Sequence, residues 1–301
     1  MKQMRRRRRG FFLSDNRNLQ RCSNYMSKRK AIVSSLITIA LIYVSKIFAI
    51  MLASAALLIG APTVFYYIIA GVMYFSLFLV LLKMVLERMM HLNVVDFGIL
   101  PFSVKPLWLL TGILLPLSII GIYILFVPGE LIFTEMSSLK RFETLISGVL
   151  FTGIATGFVE EMAFRGVLLH SLEKAWNTKT AVIVSSFLFG IVHILGGGFS
   201  PVSCLMTVLS VTIIGIAFSL ITIATGTVWN SVFVHAIWNF VFVSVLTIST
   251  IIKGSTIITY LLDTKSIMLT GGDFGIESSV ISLIGYVAIS IIAIYILKSD
   301  K

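Results

Sequence analysis

The dominant pattern of this chain is a series of long apolar segments separated by short polar ones. Each apolar segment has enough residues to cross about 30 Å of hydrocarbon as an α-helix. The pattern therefore predicts an all-α fold, a polytopic membrane helix bundle with about eight transmembrane helices. The predicted spans are 32–57, 64–86, 107–127, 143–171, 179–197, 202–222, 227–250 and 277–297.

Composition places the same chain in lipid. Hydrophobic residues make up 57% of it and charged residues 12%, and its mean hydropathy is +1.01. Soluble domains contain about 45–50% apolar and about 25% charged residues. We therefore expect a multi-pass integral membrane protein in contact with membrane lipids.

The positive charge of the chain is concentrated at its N-terminus. Of a net charge of +11, the stretch 1–30 contributes eleven Lys and Arg against Asp15. A basic arm beside a membrane helix attracts anionic headgroups and is retained in the cytoplasm. An even number of crossings then places both termini there. Its charged part is too long for a cleavable signal peptide.

Nucleic-acid binding is the alternative interpretation of the arginine run Arg5–Arg9. Blocks of like charge are usually solvated tails, and the remainder of the chain is nearly neutral. We therefore expect no nucleic-acid partner.

Polar and ionisable residues occur inside three of the predicted spans. Such groups are costly in a membrane and usually functional. Measured from the predicted cytoplasmic helix ends at about 1.5 Å per residue, Glu160, His193 and His235 lie roughly 16, 21 and 14 Å deep. The three segments are thus predicted to converge on one site. The residues concerned are Glu160, Glu161 and Arg165, then His193, then His235 and Asn239.

The two adjacent glutamates are predicted to have different roles. Neighbouring residues on a helix are about 100° apart, so Glu160 and Glu161 face different directions. Glu161 and Arg165 have the i, i+4 spacing of a carboxylate–guanidinium pair, which we assign to structure. Glu160 is then the candidate general base. The alternative is a single buried ion cluster of all three groups.

The histidine segments repeat the same helical spacing. His193 follows Phe189 by four residues, so the phenyl ring is placed to pack against the imidazole and orient it. His235 and Asn239 are also four apart, which sets an imidazole beside an amide donor. Either histidine on its own is typical of a satisfied core residue. Because both histidines occur in the same chain as the two adjacent glutamates, we favour a catalytic centre.

Three signatures in this order resemble the CPBP family of membrane proteases, which includes the type II CAAX prenyl endopeptidases and bacterial bacteriocin-processing and immunity proteins. The family's EExxxR pattern corresponds to residues 160–165, its FxxxH to residues 189–193 and its HxxxN to residues 235–239. The resemblance covers about 143–241. It divides the chain into a basic cytoplasmic arm (1–30), N-terminal membrane helices (31–142), a CPBP-like catalytic core (143–241) and an outer loop with a C-terminal membrane helix (242–301).

The resemblance implies an intramembrane endopeptidase of the CAAX type. Glu160 would activate a water molecule that His193 positions, and His235 and Asn239 would donate to the oxyanion. Family members have been described both as glutamate-dependent proteases and as metalloproteases. A zinc ion on Glu160, His193 and His235 is therefore a possible alternative. The zincin HExxH pattern is absent, so we favour the mechanism without a cofactor.

Two other functional classes stay open at this point. Buried Glu, His and Arg also line proton or ion pathways in transporters, although no internal repeat is visible. A non-catalytic scaffold or bacteriocin immunity factor is the second alternative. For a protease we expect a peptide or lipidated-peptide substrate and, from the character of the resemblance, a bacterial cell membrane.

Overall fold

Eight apolar helices form the body of this protein in the computed structural model, which describes residues 26–92, 97–99, 102–195 and 197–299. The predicted all-α membrane bundle is thereby confirmed. Most of the predicted basic arm lies outside the described residues. The helices are α1 (Lys28–Leu58), α2 (Thr63–Met89), α3 (Pro106–Phe126), α4 (Ser138–Ala175), α5 (Thr178–Val192), α6 (Pro201–Thr225), α7 (Trp229–Val245) and α8 (Val280–Ser299).

Six of these described helices are long and apolar enough to cross a membrane, whereas α5 and α7 are shorter. The predicted span 179–197 was too long, because α5 ends at Val192 and a turn follows. Glycine, which disfavours helix, occupies 196–198 in the sequence. The predicted span 227–250 was also too long, since residues 246–249 form a strand.

Local sequence explains where several helices begin and end. Ser27, Ser137 and Asn177 accept hydrogen bonds from backbone N–H groups in the first turns of α1, α4 and α5. Such caps satisfy donors that have no partner within the helix. Pro201 occupies the first turn of α6, where its missing N–H costs nothing. Gly226 ends α6 with a φ of +82°, a conformation that glycine adopts freely.

A small mixed sheet, which the hydropathy pattern did not predict, joins the loops at one end of the bundle. Its strands are β1 (Gly129–Phe133), β2 (Leu246–Ser249) and β3 (Ile258–Leu262). The central strand, β3, is antiparallel to β1 and parallel to β2. The sheet therefore ties the end of α3 to the end of α7.

Helix α4 is the central element of the bundle, and it packs against α1, α2 and α7. Two stretches of it, Ser147–Thr156 and Met162–Leu168, are π-helical, a form frequent at functional sites. A Cβ at Gly157 would lie 3.1 Å from the backbone nitrogen of Ala236. Small residues on α4 thus let α7 approach closely. This close approach places the polar residues of α7 beside those of α4.

Candidate functional site

The two adjacent glutamates of α4 lie in different surroundings. The side chain of Glu161 is fully buried, whereas that of Glu160 is 18% exposed and lines a cavity of about 240 Å³. This follows from the rotation of about 100° between neighbouring helical residues. Glu160 can therefore meet a ligand, and Glu161 cannot.

Glu161 and Arg165 form a fully buried ion pair. The distance from Arg165 Nη1 to Glu161 Oε1 is 3.0 Å, with both side chains inaccessible. The guanidinium carbon lies 4.1 Å from the ring centroid of Phe189 and 5.2 Å from that of Phe218. Aromatic faces attract a cation, most strongly away from water. The pair and its rings fix this part of α4.

His193 caps the end of α5, although a mid-helix position was expected. Its Nδ1 lies 2.7 Å from the carbonyl oxygen of Phe189, and the two rings meet edge to face at 4.5 Å. Since a carbonyl only accepts, Nδ1 is the protonated nitrogen. The other nitrogen, Nε2, lies 4.0 Å from Oε2 of Glu160.

His235 reaches the same carboxylate from α7. Its Nδ1 lies 3.0 Å from Glu161 Oε1, and its Nε2 lies 3.8 Å from Glu160 Oε2. The ring stacks on Phe218 at a centroid distance of 5.3 Å. Both imidazoles are thus held through Nδ1 and turn Nε2 toward one oxygen of Glu160. The bond between Glu161 and His235 was not anticipated from the sequence.

Asn239 lies on the wall of the same cavity. Its Nδ2 donates to the carbonyl oxygen of Thr152 at 3.0 Å, which links α7 to the π-helical part of α4. An amide nitrogen carries two hydrogens, so one further donor is left. The structure therefore brings Glu160, His193, His235 and Asn239, predicted from three separate segments, to one cavity.

Two cavity residues were not recognised as site residues from the sequence. Lys46 reaches the cavity from α1, and Glu277 reaches it from the turn before α8. The carboxylate of Glu277 accepts a hydrogen bond from Trp238 Nε1 at 2.9 Å. An intramembrane lysine was a visible signal at Lys46. No local pattern marked Glu277.

The loop before α8 covers one side of the site. Phe274 meets the His193 ring edge to face at 6.0 Å. The adjacent Asp273 accepts from the backbone N–H of Ser200 at 2.8 Å. This bond, together with interactions with the Ser200 and Ser203 hydroxyls, lowers the pKa of Asp273 from its ordinary value of 3.8. A charged Asp273 thus anchors the loop that carries Phe274.

The possible zinc ligands do not fit a zinc site as they stand. Tetrahedral zinc with bonds of about 2.0–2.1 Å holds its ligand atoms about 3.4 Å apart. The histidine nitrogens are 4.0 and 3.8 Å from the Glu160 oxygen. Within the described part of the chain, no group of three or more His, Cys, Asp or Glu residues is arranged to hold a metal ion.

Comparison with known proteins identifies the region that contains this site. Residues 142–241 match the family model described as Type II CAAX prenyl endopeptidase Rce1-like. No curated protein and no solved structure matches the chain. The matched region contains Glu160, His193, His235 and Asn239, and the resemblance drawn from the three motifs is confirmed for it.

Proposed function

We propose that Glu160 activates a water molecule for peptide-bond hydrolysis. The match of residues 142–241 to the model of the Rce1-like CAAX endopeptidases supports this proposal. The match of residues 142–241 also supports a CAAX-protease-like intramembrane endopeptidase with a peptide substrate. One observation carries the finer proposal. His193 Nε2 and His235 Nε2 lie 4.0 and 3.8 Å from the same oxygen of Glu160, a separation at which a water molecule can bridge that oxygen to an imidazole by hydrogen bonds of about 2.8 Å.

Water attack begins at Glu160. Its carboxylate takes a proton as the water oxygen bonds to the substrate carbonyl carbon, and His193 holds that water in line. A positioned general base contributes about 10²–10⁴ in rate. When the C–N bond breaks, the proton on Glu160 passes to the departing amine. The products are a new carboxylic acid and a new amine, which exchange a proton in water, and Glu160 is regenerated as the carboxylate.

Oxyanion stabilisation is assigned to His235 and Asn239. In this role His235 donates from Nε2 as the imidazolium, while its Nδ1 donates to Glu161 Oε1 at 3.0 Å. The second N–H of Asn239 is the other donor. A preorganised donor of this kind contributes about 10²–10³ in rate.

Glu161, Arg165 and Phe189 support these groups without contacting substrate. Glu161 fixes the His235 ring through Nδ1, and Arg165 balances the buried charge of Glu161. Phe189 accepts from His193 through its carbonyl oxygen and packs against both Arg165 and His193 through its ring. Their contacts explain why both imidazoles keep Nε2 toward Glu160.

The substrate class and orientation complete the proposal. With the basic arm in the cytoplasm, both termini lie on that side. A peptide, or a lipidated peptide held at the membrane, then reaches the cavity among the helices. We infer a bacterial cell membrane from the general character of the sequence.

This function is tested by comparing the membrane peptides of cells that carry the wild-type protein with those of cells that carry Glu160→Gln. If the protein is a protease, substrate peptides should accumulate uncut in cells with the variant. The amount of the variant protein in the membrane should equal that of the wild type. Identical peptide profiles, with the cellular effect of the protein retained in Glu160→Gln, would instead identify a scaffold or immunity factor.

A further inference from the structure

A lysine in the first membrane helix shares the cavity with Glu160. Lys46 lines this cavity together with His193, His235 and Asn239. Among the described cavity-lining residues it is the only lysine or arginine. It lies outside residues 142–241, the region that matches the protease family.

The position of Lys46 along α1 makes its charge costly. It lies 18 residues from the start of the helix and 12 from its end, which is roughly 27 and 18 Å. Both distances exceed the length of a lysine side chain, so the ammonium group cannot reach either end of α1. A charge kept at such depth usually faces the bundle interior and has a function.

Among the described residues, no carboxylate lies within 4.0 Å of the Lys46 ammonium group, although Glu160 and Glu277 line the same cavity. The ion pairs between described residues do not include Lys46. The contact given for its ammonium group is the ring of Phe151, with Nζ 5.9 Å from the centroid. At that distance a cation–π contact is weak. An ammonium group that faces a cavity and has no carboxylate in direct contact is suited to bind an anionic ligand.

Three other polar groups of the cavity are engaged within the protein. The hydroxyls of Thr152 and Thr156, which also line the cavity, donate to backbone carbonyl oxygens of their own helix. Glu277, the other carboxylate of the cavity, accepts from Trp238. Since His235 and Asn239 are assigned to the oxyanion, Lys46 is the remaining cavity group suited to bind an anion away from Glu160.

Resting on the function proposed above, we infer that Lys46 binds a carboxylate of the peptide substrate while Glu160 directs water at the scissile carbonyl. The ammonium group would thereby hold the peptide in register. The carboxylate has two chemical sources, the free C-terminus of the peptide or an acidic side chain near the cleaved bond. In this scheme Lys46 determines specificity and takes no part in proton transfer.

Binding to the Glu160→Gln protein tests this role without turnover. The probe is an N-acetylated hexapeptide of alanine and leucine in three forms: the free acid, the C-terminal amide, and the amide with one internal glutamate. Because a hydrogen bond to a charged group contributes about 1.5–3 kcal/mol, at least one carboxylate form should bind about 10- to 150-fold more tightly than the plain amide. If the free acid binds more tightly, the carboxylate is the C-terminus of the peptide. If the glutamate peptide does, the carboxylate is an acidic side chain.

Substitutions at Lys46 complete the experiment in the same Glu160→Gln background. Lys46→Met should abolish the preference for carboxylate while leaving affinity for the plain amide unchanged, and Lys46→Arg should retain it. Lys83→Met, which removes a lysine near the end of α2, is the matched charge control and should change nothing. Equal binding of all three peptides, or a preference that survives Lys46→Met, would overturn the inference.

Peptide turnover by the protein with Glu160 intact is measured separately. A protein that prefers carboxylate peptides through Lys46 but hydrolyses none would contradict the proposed hydrolysis and leave the binding role standing. Hydrolysis without any preference for carboxylate peptides would support the proposed hydrolysis and contradict the binding role of Lys46.

Discussion

Glu161 Oε1 lies 3.0 Å from His235 Nδ1, although the two residues are 74 positions apart in the sequence. The same oxygen is 3.0 Å from Arg165 Nη1. One buried carboxylate therefore orients a histidine of α7 and balances a cation of α4. This double role gives Glu161 a structural function, although Glu160 is the glutamate of the pair that faces the cavity.

Replacing Glu161 by Gln should destabilise the fold strongly. The change keeps the size of the side chain but leaves the buried guanidinium of Arg165 without a counter-charge. Breaking a buried pair in this way costs about 3–5 kcal/mol. Thermal unfolding of the purified protein measures the loss. Lys140→Gln is the control: its partner is Glu143, its side chain is 48% exposed, and the cost should stay below about 1 kcal/mol.

Gly190→Ala should separate α5 from α6. An added Cβ would lie 2.7 Å from the backbone oxygen of Val208, too close for the helices to remain in place. We expect a loss of about 1–3 kcal/mol in unfolding free energy, together with reduced activity because His193 follows three residues later. Gly121→Ala is the matched control, since its Cβ would meet nothing within 4 Å. Equal stability of the two variants would argue against this helix contact.

Acidification should release the loop that carries Phe274. The pKa of Asp273 is lowered in the folded protein by its bonds to Ser200 and Ser203. The stabilisation is therefore present above the ordinary pKa of 3.8 and is lost as the pH falls through the lower folded value. Hydrogen exchange at the Ser200 amide should lose protection over that range. In Asp273→Asn, protection should be weak at every pH, and a pH response unchanged from wild type would contradict this assignment.

Metal removal should leave peptidase activity intact. The donor atoms on Glu160, His193 and His235 are more widely spaced than tetrahedral zinc requires. Metal analysis of the purified protein, followed by assay after exhaustive chelation, measures the dependence directly. Full activity without metal supports the glutamate mechanism. Loss on chelation, with recovery on adding zinc, would support the metalloprotease alternative instead.

The sequence predicted the bundle because an apolar segment long enough to cross a membrane can be recognised without knowing its tertiary contacts. It also indicated the candidate catalytic groups, since an ionisable residue within an apolar segment is visible without a structure. Contacts between residues far apart in the sequence could not be predicted from the hydrophobic pattern. The bond from Glu161 to His235 depends on how α4 and α7 cross. The pairing of β3 with both β1 and β2 joins segments far apart in sequence.

The helix ends near the site illustrate the same limit. Hydropathy continues beyond Val192 and Val245, yet α5 ends in a turn and α7 gives way to β2. Apolar residues at these positions are compatible with helix, turn or strand, and pairing with β3 decides the outcome for residues 246–249. His193 consequently lies at a helix end, where Phe189 supplies the acceptor for its Nδ1.

Hydrolysis of a synthetic peptide library by the purified protein, compared with that by Glu160→Gln, tests the central claim most directly. We predict that the wild type cleaves peptide bonds and that Glu160→Gln loses about 10²–10⁴ in rate while unfolding at the same temperature. Glu87→Gln, at an exposed carboxylate outside the cavity, should keep full activity. Cleavage by Glu160→Gln at the wild-type rate would contradict the account.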